Sequence, residues 1–100
     1  MNHMQDKISP LSLSERLVPS EHAIESRVGD ETVLLHLESG TYFGLDAVGT
    51  RIWELLKEGR TPQEACDVIV EEYGAAPDVV EADARRFLSD LKANVIVVAG

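Results

Sequence analysis

A chain of 100 residues, 44% of them hydrophobic, has material for one domain with one modest core, at the usual net stability of roughly 5–15 kcal/mol. Its 18 acidic against 9 basic side chains give a formal net charge of −9, which opposes adsorption to a phosphate backbone and argues against a nucleic acid as partner. A single cysteine, Cys66, excludes an intrachain disulfide and a Cys-rich zinc site, and no apolar run approaches the ~20 residues that span a bilayer.

The opening MNHMQDKISP lacks the continuous apolar stretch of a secretory signal, so residues 1–10 read as a disordered leader, with Met4 an alternative start, and a cytoplasmic setting is expected. In LSLSERLVPS, 11–20, Leu11, Leu13 and Leu17 alternate in part before Pro19 closes the pattern. Residues 1–20 are therefore expected to form a flexible arm ahead of a folded unit over 21–98. HAIESRV, 22–28, sets Ile24, Ser26 and Val28 against Ala23, Glu25 and Arg27, and Val28-Gly29-Asp30-Glu31 carries the chemistry of a hairpin turn. TVLLHL, 32–37, places Val33, Leu35 and Leu37 on one face and Thr32, Leu34 and His36 on the other, the pattern of a half-buried strand. Glu38-Ser39-Gly40 turns the chain into a third strand, Thr41 to Leu45, which lies at an edge if sequential strands pair.

Asp46 is a good N-cap for a helix whose Val48, Ile52, Leu55 and Leu56 recur at i, i+4, i+7 and i+8, widened by Trp53 and stopped by Gly59. Thr61-Pro62-Gln63-Glu64 combines a capping box with proline at the first helical position. It opens a helix with Ala65, Val68, Ile69 and Tyr73 on one face, ended by Gly74. Pro77 and Asp78 begin a third helix in which Val80, Ala84, Phe87, Leu88 and Leu91 point inward, Asp83, Arg86 and Asp90 outward, with Asn94 as its cap. The β-branched tail 94–98 is either a terminal strand or an extended lid. The result is an α+β domain, a three-stranded antiparallel sheet followed by three helices, whose expected arrangement is winged helix-turn-helix-like. Trp53, Tyr42, Tyr73, Phe43 and Phe87, its only aromatic residues, are each expected to fill a large part of the core.

Catalytic chemistry finds little support. His3, His22 and His36 are not at metal-ligand spacing, no serine lies in a G-x-S-x-G setting, and the glycines of SGTYFGLDAVGT lack the Lys and Ser/Thr of a phosphate loop. Acidic neighbours such as Glu71-Glu72 read as a solvated face, and Cys66 as a small buried side chain. No catalytic residue, metal or cofactor is expected, and a binding module is favoured over an enzyme. The positive feature is the strand Thr41, Tyr42, Phe43, Gly44, Leu45: an edge exposes backbone donors and acceptors, and neither Lys nor Pro guards this one. An extended peptide could pair with it, anchored between strand and third helix by Val80, Ala84, Phe87 and Leu88, with Arg85 and Arg86 available to acidic side chains.

VLLHLESGTYFGLDAVGTRIWELL, TPQEACDVIVEEYG and VVEADARRFLSDLKANVIV, in that order over about residues 22–98, resemble the PqqD-like family, the leader-binding domains called RiPP recognition elements. The resemblance implies a non-catalytic, winged-helix-like protein that binds the leader of a ribosomally made precursor peptide and presents it to a maturation enzyme, either a radical S-adenosylmethionine enzyme or a lasso-type protease and cyclase. In that family the leader adds beside the third strand and packs on the third helix, here Thr41 to Leu45 and the 80–91 face. Two other readings stay open: a winged-helix nucleic-acid-binding regulator, favoured by architecture and opposed by charge, and a small enzyme subunit that uses the edge to form a homodimer.

Overall fold

The computed structural model describes residues 11–100; the disordered leader expected over 1–10, His3 included, lies outside the described residues. In chain order the elements are β1 (Leu17–Pro19), β2 (Ala23–Val28), β3 (Glu31–His36), β4 (Tyr42–Leu45), α1 (Ala47–Lys57), α2 (Pro62–Tyr73), α3 (Pro77–Ala93) and β5 (Val97–Ala99). The fold is α+β, with an antiparallel sheet in the order β2-β3-β4 preceding three helices.

Two glycines set the sheet's turns. Gly29 (φ +66°) and Gly40 (φ +73°) occupy left-handed conformations that cost an L side chain roughly 1–2 kcal/mol. The second turn is also held from inside, because buried His36 accepts through Nδ1 from the amides of Glu38 (3.2 Å) and Ser39 (3.3 Å), while the Gly40 amide donates to the His36 carbonyl at 2.8 Å. This lays β4 beside β3 in the register Leu34↔Phe43 and Leu35↔Tyr42.

The helices cover the face of β3 that carries Thr32, Leu34 and His36, all buried; the Val33 and Leu35 side is only partly covered and Leu37 is exposed. On β2 the polar set faces the helices. Glu25 reaches Trp53 and Lys57, Arg27 reaches Glu54, and Ile24 and Val28 remain exposed on the far side. Between sheet and α1, the buried Thr50 hydroxyl donates to Thr32 Oγ1 at 3.0 Å, so a polar pair in the core has its partner. Of the aromatic residues expected inside, Trp53 is 2% exposed, whereas Tyr42 and Tyr73 are 69% and 53% exposed and Phe43 and Phe87 are part-buried against the core. Tyr42 and Tyr73 are thus corrections: one projects from the open face of the sheet, the other from the end of a helix.

Residues 11–20, expected as an arm, contribute to the core in the structure. Leu11, Leu13 and Leu17 are buried, the Leu13 carbonyl accepts from the Gln63 amide in the first turn of α2 at 2.8 Å, and β1 pairs with β5 through Leu17↔Ala99, Val18↔Val98 and Pro19↔Val97. The apolar tail is a terminal strand, placed on β1 and away from β4. The chain has to reverse after α3 to get there, which it does at Val95, the one described non-glycine residue with positive φ, +57°.

Candidate functional site

The ladder between β3 and β4 determines which backbone groups of the edge are open. In an antiparallel pair, alternate residues direct both backbone groups at the partner strand and the residues between them direct theirs away. The His36 amide donates to the Thr41 carbonyl at 3.0 Å, and His36 and Thr41 continue the register of the other pairs. Thr41, Phe43 and Leu45 therefore direct their backbone groups at β3, and Tyr42 and Gly44 hold theirs outward. The opposite side of β3 agrees, since just past its end the Leu37 amide donates to the carbonyl of His22, the residue before β2, at 2.9 Å. This continues the β2–β3 register through odd-numbered residues and leaves the even-numbered residues of β3 for β4. Among the described residues no strand pairs with the outer side of β4.

Beside the end of this edge lies a groove of about 670 Å³. Leu45, Val48 and Ile52 from the β4–α1 side, Tyr73 from the end of α2, and Val80 and Phe87 from α3 supply apolar walls. Gly49 sits at a close corner: a Cβ there would stand 3.3 Å from Asp46 Oδ1, tighter than an ordinary contact, and would touch Phe87 Cζ at an ordinary 3.5 Å, so the glycine makes room chiefly for the capping carboxylate. Asp46 caps that turn, its Oδ1 accepting from the Gly49 amide at 2.8 Å. The Arg86 guanidinium donates to Asp83 one turn before it on α3.

The structure brings part of the expected set together. Gly44, Leu45, Val80, Ala84 and Phe87 line the groove, Val80 and Ala84 as its buried floor. Tyr42 stands on the exposed face of the edge, Thr41 ends the turn before it, and Phe43 packs part-buried on the core. Leu88 is fully buried in the core, and Arg85 is not in the groove wall; its charge lies near Cys66, where it lowers a thiol pKa that burial pushes up to about 11. A buried thiol so far above neutrality is protonated and a poor nucleophile. Arg86, expected beside Arg85 as a partner for acidic side chains, does line the groove, and the wall also contains residues that periodicity assigned elsewhere: Asp46 as a cap, Ile69 and Tyr73 as a core stripe, Asp83 and Asp90 as an outward face. The outward stripe on α3 is legible as polar, but only the placement of α3 across the groove from β4 and the start of α1 turns it toward a cavity. Among the described residues no group of three or more His, Cys, Asp or Glu could hold a metal ion, and no helix is long and apolar enough to cross a membrane.

A small sheet backed by three helices defines a winged-helix-like module, and its open antiparallel edge beside an apolar groove offers backbone partners and a side-chain pocket to an extended segment. The model of the PqqD family, coenzyme PQQ synthesis protein D, matches residues 31–97, and the chain belongs to that family. Among solved structures it is similar to TbiB1 in complex with the TbiA(beta) leader peptide, at 48% identity and a TM-score of 0.75 over 80% of this chain and 93% of that one. It also has the fold of a lasso peptide synthetase B1 complexed with the leader peptide, at 22% identity and a TM-score of 0.75 over 83% of this chain and 98% of that one. A comparison with curated proteins gives no match.

Proposed function

We propose that this protein recognises the leader segment of a ribosomally made precursor peptide by strand addition to β4, performs no chemistry on it, and delivers it to a maturation enzyme in the cytoplasm. The observation that carries this reading is the outward-facing backbone of Tyr42 and Gly44 beside the groove lined by Leu45, Val80 and Phe87. Main-chain hydrogen bonds to those two residues would supply affinity for any extended segment, and side chains on the inner side of the added strand would be read by the groove. The 48% identity to TbiB1, a protein solved with a leader peptide bound, supports the same assignment.

The test follows from the ladder. Gly44→Pro removes an outward donor that takes no part in the β3–β4 ladder, so the sheet keeps its own hydrogen bonds, and nothing lies within 4 Å of a Cβ built there. Phe43→Pro removes a donor directed at β3 and should disrupt the sheet itself. Titrating the TbiA(beta) leader peptide by calorimetry, we expect Gly44→Pro to melt near the wild-type temperature while binding at least about tenfold more weakly, as loss of a hydrogen bond and steric exclusion of a neighbouring strand require. A folded Gly44→Pro protein that binds as tightly as wild type overturns strand addition.

A further inference from the structure

The groove has a charge that the peptide it accepts must meet. Val79, Asp83, Arg86, Phe87 and Asp90 recur on α3 at i, i+4, i+7, i+8 and i+11, one face of the helix, and all five line the cavity. With Asp46 on the opposite wall this makes three carboxylates against one guanidinium, a formal charge of −2 in the groove. The guanidinium is already engaged, since Arg86 Nη2 donates to Asp83. Asp46 has one oxygen on the Gly49 amide, and among the described residues neither Asp46 nor Asp90 takes part in an ion pair. Asp90 is thus the groove carboxylate with its charge uncompensated and its oxygens uncommitted, at the end of a wall whose preceding turn is apolar through Phe87. The acidic balance of the whole chain, −9, adds to the same field. The two arginines of α3, expected to donate to acidic peptide side chains, do not give the groove a positive potential: Arg85 lies outside it and Arg86 is paired with Asp83.

Resting on the leader-binding reading above, we propose that Asp90 is a specificity-determining residue that selects peptides carrying a Lys or Arg on the face of the added strand directed at α3, next to an apolar side chain seated against Phe87. The two requirements belong together, because residues on one face of a strand are spaced two apart and the apolar wall and the carboxylate adjoin along α3. The apolar contact supplies affinity; the carboxylate discriminates among apolar peptides by sign of charge, since bringing a like charge to Asp90 is penalised where a cation is rewarded.

The experiment is selection of a displayed library of random short peptides on the full chain and on Asp90→Asn and Asp90→Lys, with Gly44→Pro as the counter-selection that removes edge-independent binders. Asp90 is exposed and its substitution leaves the core intact, which circular dichroism checks. Wild type should enrich peptides with a basic residue at a fixed offset from an apolar one, Asp90→Asn should lose that preference, and Asp90→Lys should invert it toward Glu or Asp. For a selected peptide, replacing its Lys by Glu should weaken wild-type binding about fivefold or more at low salt, less at high salt, and strengthen binding to Asp90→Lys. Enrichment of edge-dependent peptides with no basic position, or a basic preference that survives Asp90→Lys, overturns the proposal while leaving strand addition intact. If no edge-dependent peptide is enriched at all, strand addition itself fails and the proposal with it.

Discussion

At Glu25 one carboxylate oxygen accepts from two donors, the Trp53 indole at 2.9 Å and the Lys57 ammonium at 2.8 Å. The indole is buried at 2% exposure, so its N–H has to find a protein acceptor, and a charged residue in the middle of β2 provides it. This is why β2 turns its polar side to the helices and leaves Ile24 and Val28 outside. Alternation in the sequence separates the two faces; it does not say which faces in, because the deciding partner lies on a helix 28 residues away. The hydrogen bond from Lys57, then that from Trp53, holds the Glu25 carboxyl below its ordinary pKa of 4.5. A carboxyl lowered by folding contributes stability that is complete above the unfolded value and is lost as pH falls through the lower folded value. Glu25→Ala should cost about 1–3 kcal/mol by stranding the indole N–H, whereas Glu25→Gln, which keeps an acceptor, should stay within about 1 kcal/mol of wild type. Urea unfolding followed by Trp53 fluorescence should show the gap between wild type and Glu25→Gln closing as pH drops below 4.5. A gap that is constant with pH would remove the ionic part of this account.

The ends of α1 and α3 use one device with different residues. After α1 the Gly59 amide donates to Leu56 and the Arg60 amide to Leu55; after α3 the Val95 amide donates to Lys92 and the Ile96 amide to Leu91. Both are paired reversals in which the residue after the cap takes positive φ, +97° at Gly59 and +57° at Val95. Glycine accepts that conformation and a β-branched residue pays roughly 1–2 kcal/mol for it. The cost at Val95 is sustained because the reversal buries Ile96 against Leu91, both 0% exposed. Val95 itself is 46% exposed, so little packing is lost by removing its side chain. Val95→Gly should therefore raise stability by about 0.5–1 kcal/mol, the relief of strain less the extra freedom of glycine in the unfolded chain, and Gly59→Val should lower it by a similar or larger amount. The check is a shift in urea midpoint at unchanged slope. Such features explain what was legible from sequence at this scale. The capping box of Thr61 and Glu64, the stop at Gly59 and the turns at Gly29 and Gly40 are each written within a few adjacent residues and appear in the structure where expected. The reversal at Val95 was hidden because the residue carrying it has the wrong chemistry for its conformation and is held there by burial of its neighbour. The groove wall was hidden for a related reason: Asp46, Tyr73 and Asp90 come from three helices or their caps, and no local pattern joins them.

Across the whole molecule, where the two terminal segments go decides whether β4 can have a function. An apolar tail such as NVIVV and an open edge strand are natural partners, and had they met, the edge would be satisfied internally. Instead β5 is held by β1: the Ser20 amide donates to the Ile96 carbonyl at 2.8 Å, the Gly100 amide to Arg16 at 3.0 Å, and Leu17, Ile96 and Val97 are fully buried. A sequence scan cannot pair segments some 80 residues apart, and within 11–20 the partial alternation of leucines closed by Pro19 reads locally as an extended arm. We propose on this basis that the folded unit begins before residue 20, and deletion of residues 1–20 tests it. Burying a Leu side chain contributes about 1.5–3 kcal/mol, so loss of Leu11, Leu13 and Leu17 together, with β5 left unpaired, would remove most or all of a net stability of roughly 5–15 kcal/mol. We expect the shortened chain to lose its cooperative urea transition, and the single substitution Leu17→Ala to cost about 2–5 kcal/mol. An independent arm would give the opposite result, an unchanged midpoint for both. In Leu17→Ala protein that remains folded, leader binding per folded molecule should match wild type, because the edge and groove draw on β4, α1, α2 and α3 and not on the strand pair that joins the two ends. A weakened affinity in the folded fraction would mean that the β1–β5 pair also shapes the site, and that its separation from β4 is one of sheet topology alone.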